Sequence, residues 1–199
     1  KCIELQPTEI THIAQLLGVL PSLCAWDEIE KFFPYLERIG IEWKTASPIA
    51  LMYFEDNPEN HLKRAIRYSQ EGEKESLPIQ GSYNNSKINI GYFSSDFRLH
   101  SLSILLTRIL ELHDQSRFNI YAYSLNKTSD GYTKRIKNAV FCFREIADSS
   151  DMEIVDIVRK DKIDIAIDLN GITDLNRKSI FDYRVAPIQI NYLGYPGTM

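Results

Sequence analysis

The stretch NIGYFSSDFRLHSLS, Asn89 to Ser103, decides how the chain is read. It opens with apolar residues packed around Gly91, the pattern of a buried strand. Ser94, Ser95 and Asp96 interrupt that run with small polar side chains, His100 follows, and an apolar run at helical spacing comes next. Strand, polar turn and helix make the first half of a βαβ unit. What needs explaining is an acid and an imidazole at the carboxyl end of the strand.

Downstream the same rhythm repeats. Strands are predicted at Ile88–Phe93, Phe118–Leu125, Phe141–Ile146, Ile163–Leu169 and Pro187–Leu193. Between them helices are predicted at Leu102–His113, Gly131–Val140, Asp151–Asp161 and Leu175–Arg184. Strands alternating with helices imply a parallel sheet, and right-handed crossovers place helices on both of its faces. The fold class is therefore α/β, a Rossmann-like, doubly wound parallel sheet. In such sheets ligands bind at the carboxyl ends of the strands, so the chemistry is sought in SSDFRLH, NKTSDG, ADSS, NGIT and GYPGTM.

Upstream, residues 1–70 are helical in pattern. Apolar residues recur at three and four in Ile10–Leu20 and again in Trp26–Gly40, where Pro34 is expected to kink or split the helix. Asn57-Pro58 reads as a cap and first-turn proline opening another helix. The basic residues of His61–Ser69 read as a solvated helix face. Residues 71–87, EGEKESLPIQGSYNNSK, are rich in turn formers and read as a linker. The expected domains are thus a helical segment at 1–70, a linker at 71–87 and the Rossmann-like part at 88–199. KCIELQPTEI reads like a helix entered midway and LGYPGTM ends just past a turn signal, so the chain is expected to be a piece of a longer protein.

Composition excludes several classes. With 44% hydrophobic and 25% charged residues the chain is that of an ordinary globular protein. A net charge of −4, from 23 basic and 27 acidic residues, gives a nucleic-acid partner no electrostatic support. No apolar run is long enough to cross a membrane, and the first residues are not a signal peptide. Three cysteines, Cys2, Cys24 and Cys142, form no metal-ligand spacing and favour reduced thiols in a cytoplasm.

The loops themselves are chemically ambiguous. Asp96 and His100 share a turn, and the imidazole could exchange hydrogen bonds with a substrate oxygen. Spacing alone favours the plainer alternative, a helix capped by Ser95 or Asp96 with His100 at the surface. The turn Gly194–Thr198 could bring backbone amides to a phosphate or sugar, or could be an ordinary turn. Asp168–Thr173 could line the same pocket or simply connect strand to helix. There is no GxGxxG, no GxxxxGK and no GxSxG, hence no positive sign of a nicotinamide, a P-loop nucleotide or a serine nucleophile.

Taken in order, INIGYFSSDFRLHS, IDIAIDLNGIT and RVAPIQINYLGYPGT resemble the catalytic region of the O-linked N-acetylglucosamine transferase family, which includes the plant SPINDLY-type proteins. The most specific feature is R-x-A-P-I-Q followed by L-G-Y-P-G-T. Leu23–Glu30 resembles the segment joining that family's tetratricopeptide repeats to its catalytic domain, and Lys1–Glu9 the end of one repeat. The resemblance implies the amino-terminal half of a GT-B glycosyltransferase. It implies inverting transfer of a sugar, commonly from UDP-N-acetylglucosamine (UDP-GlcNAc), to Ser or Thr hydroxyls of acceptor proteins. SPINDLY-type members use GDP-fucose instead, and no metal ion or other cofactor is required. It places Asp96 and His100 in the active site, with Gly194, Pro196, Gly197 and Thr198 lining the cleft near the donor sugar.

The chain departs from that pattern at Ser101 and Leu102, where the family has proline and a small hydroxyl residue. It departs again at Ser47–Phe54, which lacks the histidines of animal members and is closer to bacterial ones, and at Met199 in place of a serine. Because a GT-B site has two walls, the chain alone is expected to transfer no sugar. The alternative is a non-catalytic module that docks proteins through a repeat-derived helical arm.

Overall fold

A computed structural model describes residues 10–42, 47–70, 76–78, 81, 83–173, 177–195 and 197. The chain divides into two compact units, Lys1–Glu73 together with Gly197–Met199, and Lys74–Pro196.

The first unit is helical. Helix α1 (Ile10–Val19) runs into a 3₁₀ turn at Leu20–Leu23, which ends on Cys24 in the left-handed region. Pro34 falls in the first turn of a new helix, so the Trp26–Gly40 pattern is split into α2 (Trp26–Glu30) and α3 (Phe33–Leu36). Helices α4 (Pro48–Leu51) and α5 (Pro58–Gln70) each begin on proline. The Asn57 side chain caps α5, accepting from the Glu59 and Asn60 N–H groups at 3.1 and 3.2 Å. Ile13, Leu17, Leu20, Ile29, Leu36, Ile39 and Leu51 form the core of this unit.

One expectation fails here. Arg64, read as part of a solvated face, is 1% exposed. Its Nε donates to the Ile39 carbonyl at 3.0 Å and Nη2 to the Leu36 carbonyl at 2.6 Å, while Nη1 pairs with Glu55. A buried guanidinium needs all of these acceptors to offset its lost hydration. Helical spacing alone does not reveal them.

The second unit holds five parallel strands in the order β3-β2-β1-β4-β5. They are β1 (Ile88–Ser94), β2 (Phe118–Ser124), β3 (Cys142–Glu145), β4 (Ile165–Asp168) and β5 (Ile188–Asn191). The helices are α6 (Ser101–Leu112), α7 (Gly131–Ala139), α8 (Asp151–Lys160) and α9 (Ser179–Asp182). Strand β1 lies in the middle and is buried from Asn89 to Ser94.

Alternation sends its side chains into two cores. Phe93 packs with Tyr121, Tyr123 and Ala166 against Ile154, Val155 and Val158 of α8. Ile90 and Tyr92 pack with Ile120 and Ala122 against Leu102, Leu106 and Leu110 of α6 and Ile136 of α7. Gly91 leaves room for Tyr123, whose ring edge would stand 2.9 Å from a Cβ there and which stacks on Phe93 at 4.5 Å.

Two differences from the sequence reading have local causes. The helix predicted over Leu175–Arg184 is only Ser179–Asp182, with residues 174–176 outside the described residues. Gln189 fixes the backbone on the carboxyl side of α9, accepting from the Val185 N–H at 2.9 Å and donating to the Phe181 carbonyl at 3.1 Å. In the stretch read as a linker, Asn85 donates to the Lys162 carbonyl and to Asp164, both at 2.9 Å, and Leu77 packs on the β1–α8 core. These contacts tie Leu77 and Asn85 to the sheet unit.

Candidate active site

In this strand order β1 and β4 are neighbours whose following connections diverge, which opens a crevice at their carboxyl ends. A cavity of about 380 Å³ lies there, lined by Asp96, Arg98 and His100 after β1, Leu169 and Thr173 after β4, and Gly194 after β5. The polar turn, the NGIT loop and the start of GYPGT thus meet in one place.

The β1 loop is held on every side. Ser94 Oγ accepts from the Asp96 N–H at 2.9 Å, and Ser103 Oγ donates to the Asp96 carbonyl at 2.5 Å. Phe97 is fully buried, and its carbonyl accepts from Thr133 Oγ1 at 2.7 Å. Asp130, which caps α7 in a reciprocal box with Thr133, also accepts from the Leu99 N–H at 2.5 Å. Such support fixes the geometry of a site before any ligand arrives.

The Asp96 carboxylate is nearly buried. Oδ1 takes an ion pair from Arg98 Nη2 at 3.0 Å, and Oδ2 lies 3.8 Å from His100 Nδ1. His100 is more exposed, and it is the N-cap of α6. Its Nδ1 accepts from the Leu102 N–H at 3.3 Å. An accepting Nδ1 places the proton of the neutral ring on Nε2, so the imidazole has an N–H left for a ligand.

Leu193 and Gly194 form the third wall. Gly194 N–H donates to the Tyr192 carbonyl at 2.9 Å around Leu193, whose φ is +71°. This is a γ-turn of the rare, strained kind, and strain of this sort collects at functional sites. Gly194 packs so closely on the β4 loop that a Cβ would stand 1.7 Å from the Leu169 carbonyl oxygen. The two wall loops are therefore in backbone contact.

Of the residues nominated from sequence, Asp96, His100 and Gly194 come together. Gly197 belongs to the first compact unit, and Pro196 and Thr198 lie outside the described residues. Sequence reasoning did not single out Arg98, and within the Asp168–Thr173 stretch, read as a possible wall of the pocket, it singled out neither Thr173 nor Asn170, whose amide joins the β1 and β4 loops. Its only signal was a polar residue between a buried strand and a glycine. Among the described residues no cluster of three or more His, Cys, Asp or Glu is placed to hold a metal ion, and no helix is long and apolar enough to cross a membrane.

A doubly wound parallel sheet with a preorganised polar crevice at its switch point defines a ligand-binding domain of the Rossmann-like class. Residues 72–199 match the model of glycosyl transferase family 41, and the chain belongs to that family. It is 28% identical over 203 residues to the probable UDP-N-acetylglucosamine–peptide N-acetylglucosaminyltransferase SEC of Arabidopsis thaliana, covering 92% of this chain and 21% of that protein. It is 36% identical over 118 residues to the UDP-N-acetylglucosamine–peptide N-acetylglucosaminyltransferase of Caenorhabditis elegans, covering 58% and 10%. The probable enzyme SPINDLY of Oryza sativa subsp. japonica is 31% identical over 159 residues, covering 75% and 17%. The chain thus spans about a fifth or less of the length of these relatives. A solved structure of a Thermobaculum terrenum O-GlcNAc transferase mutant superposes with a TM-score of 0.71 at 24% identity, over 97% of this chain and 39% of that one, which shows the shared fold.

Proposed function

We propose that the chain is the amino-terminal half of the catalytic region of an inverting protein O-glycosyltransferase. The donor is UDP-GlcNAc and the acceptors are Ser and Thr hydroxyls of proteins, without a metal ion. The observation that carries this reading is the placing of Asp96 beside His100 in a preorganised crevice, inside the segment that matches the glycosyltransferase family. The helical stretch before it is proposed to be the end of a tetratricopeptide-like array.

The chemistry constrains the roles. As the acceptor oxygen bonds to the anomeric carbon, the bond from that carbon to the diphosphate oxygen breaks and the acceptor proton must leave. In the structure His100 is set to donate from Nε2. To take the acceptor proton on Nε2 instead, the ring must carry its hydrogen on Nδ1. That hydrogen would point to Asp96, 3.8 Å away, at the expense of the bond to Leu102. Asp96, anchored by Arg98, then faces the imidazolium that forms. The diphosphate takes the electrons of the broken bond, and its charge is stabilised by donors of the second half of the GT-B cleft.

The test is to incubate the full-length protein with UDP-GlcNAc and with GDP-fucose separately and to weigh the protein products intact. Mass added from UDP-GlcNAc is the expected result. Mass added only from GDP-fucose would overturn the donor, and transfer from neither with a competent acceptor present would overturn the function.

A further inference from the structure

Asn170 opens the loop after β4 and is 1% exposed. Its side chain crosses the switch point. Oδ1 accepts from the Ser95 N–H at 2.9 Å, and Nδ2 donates to Ser95 Oγ at 2.7 Å. The same Nδ2 reaches Asp96 Oδ2 at 3.4 Å and Thr173 Oγ1 at 3.5 Å. The bond from the Ser95 N–H fixes which end of the amide is oxygen, so a donor faces Asp96. Burying an amide is costly unless its hydrogen bonds are satisfied, and an apolar side chain would fill the same place at lower cost. What the amide adds is direction.

That direction matters at one atom. Arg98 holds Asp96 by Oδ1, whereas Oδ2 is the oxygen that faces His100 Nδ1. Asn170 therefore touches the Asp96 oxygen on which the proton balance of His100 depends. We propose that Asn170 is a positioning residue: it locks the β1 loop to the β4 loop and holds Asp96 Oδ2 in place for His100. The inference rests on the transferase reading for its chemical meaning, but not for its geometry.

Asn170→Asp separates this role from a merely structural one. The variant keeps the shape, keeps an acceptor for the Ser95 N–H and gives the Ser95 hydroxyl an acceptor in turn. It replaces the donor facing Asp96 with a carboxylate oxygen, which makes that contact repulsive and disfavours ionisation of the pair. In the full-length enzyme we expect kcat to fall about 10-fold or more, on the scale of displaced catalytic groups, with the donor KM little changed. The acid limb of the pH–rate profile should move to higher pH. Wild-type kcat and an unmoved profile in Asn170→Asp would overturn the proposal.

Hydrogen exchange of the Ser95 amide reports whether the loop tie survives, and protection is expected in wild type and Asn170→Asp. Should the aspartate variant lose it, the comparison passes to Asn170→Ala and Ser95→Ala. The latter removes the hydroxyl contact and leaves the one to Asp96, so equal loss of kcat in both would overturn the proposal. If the wild type transfers no sugar, the functional reading fails, and the His100 ring nitrogen-15 signals decide the inference alone. They are expected to shift in Asn170→Asp and not in Ser95→Ala, and unshifted signals in Asn170→Asp would overturn it.

Discussion

His100 has one Nδ1 and two claims on it, the Leu102 N–H at 3.3 Å and the Asp96 carboxylate at 3.8 Å. The capped arrangement makes Nε2 the protonated nitrogen of the neutral ring. Nitrogen-15 spectra of the unliganded protein are expected to show that tautomer, and the Nδ1-protonated form would contradict the cap. This detail was not legible in the sequence, because histidine is not a favoured N-cap. Expectation fell on Ser95 or Asp96, but their side chains bond across the switch point and within the loop instead. The presence of an acid and an imidazole after β1 was legible, as was the turn that supplies Gly194. There, Gly194→Ala would drive a Cβ into the Leu169 carbonyl. It is expected to lower stability by about 2–3 kcal/mol, read from a denaturation midpoint, because backbone cannot step aside as a side chain does.

Strands and long helices carried their own signals. Short runs of apolar residues mark β1 and β2, which are buried on both faces, and in the structure reciprocal caps at Asp130 with Thr133 and Ser150 with Glu153 start α7 and α8. Where an element is held by tertiary bonds the signal fades. Gln189 bonds back to Val185 and Phe181, four and eight residues before it, and Arg64 collects carbonyls from Leu36 and Ile39, more than twenty residues away; neither set of bonds shows in a strand or helix pattern. The end of α6 makes a pH-dependent contribution. His113 comes directly after the helix, its ring nitrogen Nε2 lies 2.9 Å from the Tyr92 hydroxyl, and burial holds the imidazole below its ordinary value of 6.5. Burial likewise pushes the Tyr92 hydroxyl up to about 12, so it stays protonated throughout this range. As pH falls below about 6.5 the unfolded chain takes up the His113 proton first, so stability is full above that pH and is lost progressively below it. Urea midpoints at pH 7.5 and 5.5 are expected to differ less in His113→Gln than in wild type. An undiminished difference would remove His113 as the cause.

The chain is two compact units, one helical and one a parallel sheet, and the β1–β4 crevice belongs to the sheet unit. Fold class was legible because the α/β alternation repeats five strands long, and the family was legible because three loops match in order. Side-chain placement across the crevice was not, since Asp96 and Asn170 meet only after the sheet assembles. A GT-B site is built from two walls, and this chain is proposed to supply one of them. Purified alone with UDP-GlcNAc and an acceptor peptide it is expected to add no mass to the peptide, and turnover by residues 1–199 would refute the half-site account. The central claim, that the β1–β4 crevice is where sugar is transferred, is tested most directly by His100→Ala in the full-length protein. Transfer from UDP-GlcNAc would be measured by intact mass, with thermal melting as the check on folding. The account requires a loss of about 100-fold or more in rate with the melting temperature retained. Wild-type transfer by the well-folded variant would place the chemistry elsewhere.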